Sequence, residues 1–304
     1  MDGLILVHKP KGKTSHDVVL QIRSIMGEKK VGHFGTLDPL ATGLLLIAVG
    51  KATRLFPYFL HLAKTYEGRI RLGIATETYD SEGKPLSQES KKYPDQTFLL
   101  EHMSSFQGEI EQLPPPYSAK KYKGEALYRR VRQNKEFILK SNKVYIHDFR
   151  LKDYSPPYVA FQVKCSSGTY IRSLAHDLGQ NLGCGAHLDQ LVRTEIGEYN
   201  INQSHTVEQI EKMFSKGQAH ECLQPIECLL PELPKIVVND SAAKLVRSGS
   251  EFALEGIALS KQQKDLDILR IFDSHGKLLA LARKKPDEDA MHPFLVFDPN
   301  NTGF

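Results

Sequence analysis

The sequence predicts an α+β fold whose main sheet is largely antiparallel. Segments with the two-residue period of strands and the 3.6-residue period of helices are mixed along most of the chain, yet no strict βαβ rhythm appears. The final stretch, about 70 residues, carries short strand patterns and reads as a small β module. The chain has 304 residues, 40% of them hydrophobic and 25% charged, which supplies the core of one large or two ordinary domains and argues against disorder.

Gly3 to Val7 is a short apolar strand. Thr14 or Ser15 then caps a helix whose Val18, Val19, Ile22 and Met26 form one stripe, and Gly27 ends it. A loop is expected from Val31 to Thr42, followed by a strand from Leu44 to Val49 that is apolar throughout. From Tyr66 the alternation places Tyr66, Gly68, Ile70 and Leu72 on one strand face and Glu67, Arg69 and Arg71 on the other. Ser87 to Asp95 is a polar loop, and Tyr158 to Lys164 is a further strand. A helix begins at Thr169 with Ile171, Leu174, Leu178 and Leu182 at helical spacing, and another covers Val207 to Met213. Prolines from Pro231 to Lys235 mark a boundary, giving domains 1–233 and 234–304. In the second, Ile268–Phe272 and Lys277–Ala282 flank Asp273-Ser274-His275-Gly276 as a hairpin.

Forty basic and thirty-six acidic residues leave a net charge of only +4, so total charge says little about an anionic partner. Its distribution says more: Lys120 to Lys143 holds nine basic residues against Glu125 and Glu136, with Tyr117, Tyr122 and Tyr128 nearby or interleaved. Positive charge with aromatic faces suits a nucleic-acid surface, and a solvated helix face over core tyrosines is the plainer alternative. The apolar run Leu44 to Val49 falls far short of the roughly 18 residues of a membrane span. Lys9, Lys11 and Lys13 interrupt any apolar signal stretch after Val7. The four cysteines lack paired CxxC spacing and make no disulfide framework, so a cytoplasmic setting is expected. Cys184 and His187 form a CxxH with no second pair at zinc-like spacing, and no metal site is expected.

The densest unusual stretch is Gly32-His33-Phe34-Gly35-Thr36-Leu37-Asp38-Pro39-Leu40-Ala41-Thr42-Gly43. Three glycines, an Asp-Pro step and little surface charge describe a tightly shaped loop. Asp38 there is either a turn residue capping its own backbone or a carboxylate held rigidly enough to act as a nucleophile.

This stretch resembles the GHxGTLDPLATGxL signature of the TruB-type tRNA pseudouridine synthases. Similar blocks follow in order: His8-Lys9-Pro10-Lys11-Gly12 with Thr14-Ser15, Gly50-Lys51-Ala52-Thr53, Lys64-Thr65-Tyr66-Glu67 and Pro115-Pro116-Tyr117-Ser118-Ala119. Cys165-Ser166-Ser167-Gly168-Thr169-Tyr170-Ile171-Arg172, Gly185-Ala186-His187-Leu188 and Leu191-Val192-Arg193-Thr194 complete a set spanning residues 3 to 197. The resemblance implies a pseudouridine-synthase-type catalytic domain, a mostly antiparallel mixed sheet with flanking helices, followed by a β-rich domain similar to PUA-type RNA-binding modules.

The activity implied is isomerisation of a T-loop uridine of tRNA, conventionally position 55, with no cofactor. The partner is the T stem-loop; a monomer with no obligatory protein partner and no membrane attachment is expected. Asp38 aligns with the family's nucleophile, Arg172 with the arginine that pairs with it, and Tyr66 with the tyrosine that stacks on the target base. Tyr170 and Leu191 align with pocket residues, His33 with a histidine that holds the uridine out of its loop, and Lys9 and Lys64 with phosphate contacts. Without the resemblance, Tyr66, Tyr170 and Leu191 read as core, Arg172 as a surface arginine and His33 as a turn residue. Phe34, Val192 and Ser167 depart from the family pattern, which bears on loop packing and on RNA contacts. Two other readings stand beside this one: a noncatalytic RNA-binding protein using the same groove, and a family enzyme acting on another RNA.

Overall fold

The computed structural model describes residues 1–297 except 87, 119–120, 123–124, 127–129, 131–132, 134–138, 254–266 and 285–289. The first part of the chain runs β1 (Gly3–Lys9), α1 (Ser15–Met26), β2 (Val31–His33), β3 (Thr42–Val49), α2 (Phe56–Leu60), β4 (Lys64–Leu72), α3 (Gln96–Ser105) and β5 (Gly108–Gln112). The two-residue strands β6 (Lys121–Tyr122) and β7 (Glu125–Ala126) precede β8 (Asn142–Ser155), β9 (Tyr158–Cys165), α4 (Ile171–Asn181), β10 (Ala186–Ile196), β11 (Tyr199–Asn200), α5 (Val207–Ser215) and β12 (Leu223–Pro225). The remainder is β13 (Lys235–Val237), α6 (Asp240–Arg247), β14 (Phe252–Ala253), β15 (Ile268–Phe272), β16 (Leu278–Lys284) and β17 (Ala290–Val296).

The main sheet has the order β12-β1-β3-β10-β4-β9-β8-β5, with β2 on β3 and β11 on β10. Its one parallel strand pairing among the described residues joins β3 to β10, Val192 opposite Thr42 and Arg193 opposite Gly43. The α+β expectation therefore holds. A second sheet, β13-β15-β16-β17-β14, begins at Lys235, and the expected hairpin is its β15–β16 pair.

Local signals explain the ends of α1. The Thr14 hydroxyl accepts the Asp17 N–H while the Asp17 carboxylate accepts the Thr14 N–H, and Gly27 closes the helix at φ 63°. Thr14, not Ser15, is thus the cap, and Ser15 is left free for another partner. The 31–42 stretch is not loop throughout: Val31 to His33 pair with β3, because Val31 is apolar enough to join the core. The helix expected from Thr169 starts at Ile171, with Tyr170 as its extended N-cap residue.

The unbroken apolar run of β3 reflects burial on both faces. Leu44, Leu46 and Ala48 pack with Leu4 and Leu6 against Phe272, Leu278, Leu281 and Phe297 of the second sheet. Leu45, Ile47 and Val49 pack with Ile5 and Val7 against α1 and α5 residues such as Val18, Ile22 and Ile210. Each Leu, Ile or Val contributes roughly 1.5–3 kcal/mol by leaving water, so β3 forms a rigid rail at the exit of the Asp38 loop. Gly43, at φ 103°, lies so close to the Arg193 backbone that any Cβ would collide with it. The two halves of the sheet meet at this contact.

Candidate functional site

Asp38 sits in the loop between β2 and β3, and four attachments fix that loop. Leu37, Leu40 and Ala41 are buried in the core that also holds Ile171 and Leu174 of α4. The Ser15 hydroxyl accepts the Leu37 N–H at 2.8 Å and donates to the Leu37 carbonyl at 3.1 Å. The Gly12 N–H donates to the Pro39 carbonyl at 2.8 Å. Arg193 of β10 donates to the carbonyls of Gly35 (3.0 Å), Thr36 (3.3 Å) and Leu44 (2.8 Å). With its backbone held this way, the loop presents the Asp38 carboxylate to a cavity of about 330 Å3.

Arg172, from the first turn of α4, meets that carboxylate. Its Nε donates to Asp38 Oδ2 at 2.8 Å, and its other nitrogens donate to the carbonyls of Thr78 (3.0 Å) and Tyr117 (3.1 Å). Asp80 Oδ2 lies 3.4 Å from Arg172 Nη1, and the other Asp80 oxygen accepts the Thr78 hydroxyl and the Glu82 N–H. The guanidinium is buried together with Asp80, whereas the Asp38 side chain is 38% exposed. Asp38 Oδ1 accepts no hydrogen bond from the described residues. A carboxylate oriented through one oxygen and open at the other is placed to attack an electrophilic carbon in the cavity.

The structure brings Asp38, Arg172, Tyr66, Tyr170, Leu191 and Lys64 to that one cavity, with Ser167 also on its wall. Tyr66 is nearly enclosed, and burial pushes its phenol above the ordinary tyrosine range while the neighbouring Arg193 charge pulls the other way. Burial raises the Tyr170 phenol as well.

Two of the expected binding residues, Lys9 and His33, lie outside that lining, and Lys64, on it, has its ammonium engaged by carbonyls. The Lys9 ammonium is fully buried and donates to the carbonyls of Pro10 (2.9 Å) and Lys13 (2.7 Å). It therefore buttresses the turn whose Gly12 supports Pro39, and burial lowers it to about 8. Lys64 donates to the carbonyls of Leu60 (3.1 Å) and Leu62 (2.7 Å) at the end of α2, and burial followed by repulsion from Arg193 lowers it to about 8. His33 lies on β2 outside the cavity lining; burial lowers its imidazole, and its Nδ1 has no partner among the described residues.

Phe34, the departure in the loop, packs against Phe59 with ring centroids 4.7 Å apart and planes tilted by 31°, and so anchors the loop entrance on α2. Val192 lies in the β10 ladder opposite Glu67. The basic stretch from Lys120 to Lys143 falls largely outside the described residues. Sequence reasoning missed Ser15, Asp80 and Arg193 as parts of the site. Ser15 was visible as the unused alternative cap and Arg193 as a member of a family block, while Asp80 carried no signal.

The TruB family pseudouridylate synthase N-terminal domain model matches residues 23–171, and the tRNA pseudouridylate synthase B C-terminal domain model matches residues 172–231. A tRNA pseudouridine synthase B of Solibacter usitatus is 41% identical over 252 residues, 83% of this chain and 86% of that protein. One from Thermotoga maritima is 39% identical over 282 residues, 92% of this chain and 89% of that protein. Among solved structures, a Cbf5-Nop10-Gar1 complex aligns at TM-score 0.73 and 30% identity, covering 98% of this chain and 85% of that one. An H/ACA RNP bound to a substrate RNA containing 2′-deoxyuridine aligns at TM-score 0.72 and 26% identity, covering 98% of this chain and 86% of that one.

Proposed function

The chain belongs to the TruB family of pseudouridylate synthases, and we infer that it is an isomerase converting uridine to pseudouridine in tRNA, at the T-loop position 55 that the signature implies. The observation that carries this reading is the Asp38 carboxylate, paired with Arg172 through one oxygen and open at the other, on the wall of a cavity of about 330 Å3. That volume lies in the range of small-ligand pockets and suits a single extruded nucleotide.

In the reaction the bond from ribose C1′ to uracil N1 breaks, the uracil turns within the pocket, C1′ joins C5, and the C5 proton is lost as N1 gains one. Atoms and charge balance without a co-reactant. Asp38 supplies the carboxylate that acts at the sugar, by direct attack or by assisting a glycal intermediate. Arg172 orients it. Tyr66 offers its ring to the base, and Tyr170 and Leu191 complete the pocket. The alternation of β4 already makes Tyr66 a core-facing residue, so its role in the pocket comes from where the core opens. Residues 234–304 serve on this reading as a PUA-like RNA-binding domain, and the enzyme works as a cytoplasmic monomer without an obligatory protein partner.

The test is mass-spectrometric mapping of pseudouridine in T-stem-loop RNA incubated with purified protein and no cofactor. Asp38→Asn should abolish product while RNA affinity stays within about tenfold, since a group that acts in the transition state need not hold the ground state. Substantial turnover by Asp38→Asn defeats the assignment of Asp38, and folded wild-type protein that binds the RNA without product points to a noncatalytic role or another RNA.

A further inference from the structure

Gln112, the last residue of the edge strand β5, is 2% exposed. Its carboxamide faces the backbone of Tyr170. The Tyr170 N–H donates to Gln112 Oε1 at 2.8 Å, and Gln112 Nε2 donates to the Tyr170 carbonyl at 3.0 Å. A side-chain amide thus does for Tyr170 what a neighbouring strand would do: it satisfies both main-chain groups and fixes the residue in an extended conformation (φ −96°, ψ 108°).

Tyr170 is the N-cap of α4: its carbonyl accepts the Leu174 N–H at 3.1 Å, but it has no side-chain capping bond, so its angle of entry is set in part from outside the helix, by Gln112. That angle determines two things at once. It aims the Tyr170 ring at the cavity, and two residues later it aims the Arg172 guanidinium at Asp38. The chain after Gln112 repeats the attachment: the Leu113 carbonyl accepts the Ser173 hydroxyl at 2.7 Å, and the Tyr117 carbonyl accepts Arg172 Nη2 at 3.1 Å. Three successive ties therefore register the segment entering the basic stretch against the first turn of α4, and Gln112 makes the only two-bond one of the three.

We propose that Gln112 is a positioning residue for this reaction: its carboxamide fixes the backbone of Tyr170 and so sets both the Tyr170 ring in the cavity and the Arg172 guanidinium on Asp38. The proposal rests on the functional reading above. Gln112 touches neither substrate nor Asp38, so its loss should act on the rate of the chemical step and leave RNA affinity alone.

Gln112→Met keeps the volume and removes both hydrogen bonds. Its single-turnover rate on T-stem-loop RNA should fall about 10- to 100-fold, the scale expected of a displacement near 1 Å, with Kd for the RNA within about threefold of wild type. Because part of the effect passes through Arg172, Gln112→Met should cost the Arg172→Lys protein a smaller factor in rate than it costs wild type. A wild-type rate, a rate loss matched by an equal loss of affinity, or full additivity with Arg172→Lys overturns the proposal. Should circular dichroism show Gln112→Met unfolded, Gln112→Asn, whose shorter side chain draws the carboxamide back from the Tyr170 backbone, replaces it in each measurement, and the same results overturn the proposal. A readout independent of turnover separates this proposal from the functional reading: the Arg172 Nε–H resonance, assigned by its loss in Arg172→Lys, should move in Gln112→Met. Wild-type protein without product defeats the functional reading, and an unmoved resonance defeats the positioning role.

Discussion

Arg172 and Arg193 are both buried, at 5% and 1% exposure, and both reach the loop that carries Asp38. Arg172 comes from the start of α4 and divides its donors between the Asp38 carboxylate and the carbonyls of Thr78 and Tyr117, with Asp80 beside it. Arg193 comes from β10 and spends its donors on the carbonyls of Gly35, Thr36 and Leu44. Among the described residues no carboxylate lies within ion-pair distance of Arg193. One guanidinium holds the carboxylate proposed to react; the other ties strand, loop and strand together through their carbonyls, with the Tyr66 phenol beside it on the cavity wall. On the proposed function the same residue type therefore serves chemistry at one end of the loop and architecture at the other, and partners rather than burial distinguish the two.

A matched pair of conservative substitutions tests that division. Arg172→Lys keeps a cation near Asp38 and Asp80, but a single ammonium cannot span four acceptors that lie in different directions. Its single-turnover rate should fall about a thousandfold, the scale of losing an oriented charge at a reacting centre, together with a loss of stability from the Thr78 or Tyr117 carbonyl that the ammonium no longer reaches. A rate within tenfold of wild type would reduce Arg172 to a structural ion pair. Arg193→Lys should lose stability without the loss of rate. It leaves one or two buried carbonyls without a donor, a loss of about 1–3 kcal/mol of stability, read as a lower urea midpoint, and its rate at a temperature where it is folded should stay within tenfold. Equal effects of the two substitutions on rate would erase the distinction.

The reacting end of this comparison was legible in the sequence, and the architectural end was not. The loop around Asp38 stands out because its glycines and Asp-Pro step describe a fixed shape, and Leu44 to Val49 stands out because a strand covered on both faces has no polar positions. β10 escapes notice because it bulges between Leu188 and Gln190 and again between Arg193 and Glu195, and each bulge resets the two-residue period. β8 hides for the same reason, with shifts between Ile146 and Asp148 and between Leu151 and Asp153. Arg193 also contradicts the ordinary preference of arginine for the surface, so no pattern of hydropathy could assign it to the core. The lysines show the converse limit of a sequence. Lys9 and Lys64 carry the charge that phosphate binding requires, but only coordinates reveal that their ammonium groups are turned onto carbonyls.

The smallest effect probes the burial of the Lys64 ammonium beside Arg193. Burial, aided by repulsion from Arg193, lowers the Lys64 ammonium from 10.5 to about 8. Between those two values the unfolded chain still holds a proton that the folded protein has released, so Lys64 makes stability rise with pH across that window and contributes no slope below it. Lys64→Met removes the titrating group and leaves Lys9, which is lowered in the same way, common to both proteins. The difference in urea midpoint between wild type and Lys64→Met should therefore be flat from about pH 6 to pH 7.5 and shift in favour of wild type from about pH 8 to pH 10. Arg193→Lys retains a positive charge, so the slope should survive in that background even though the fold is weaker. A flat difference throughout would mean that Lys64 keeps its ordinary proton affinity.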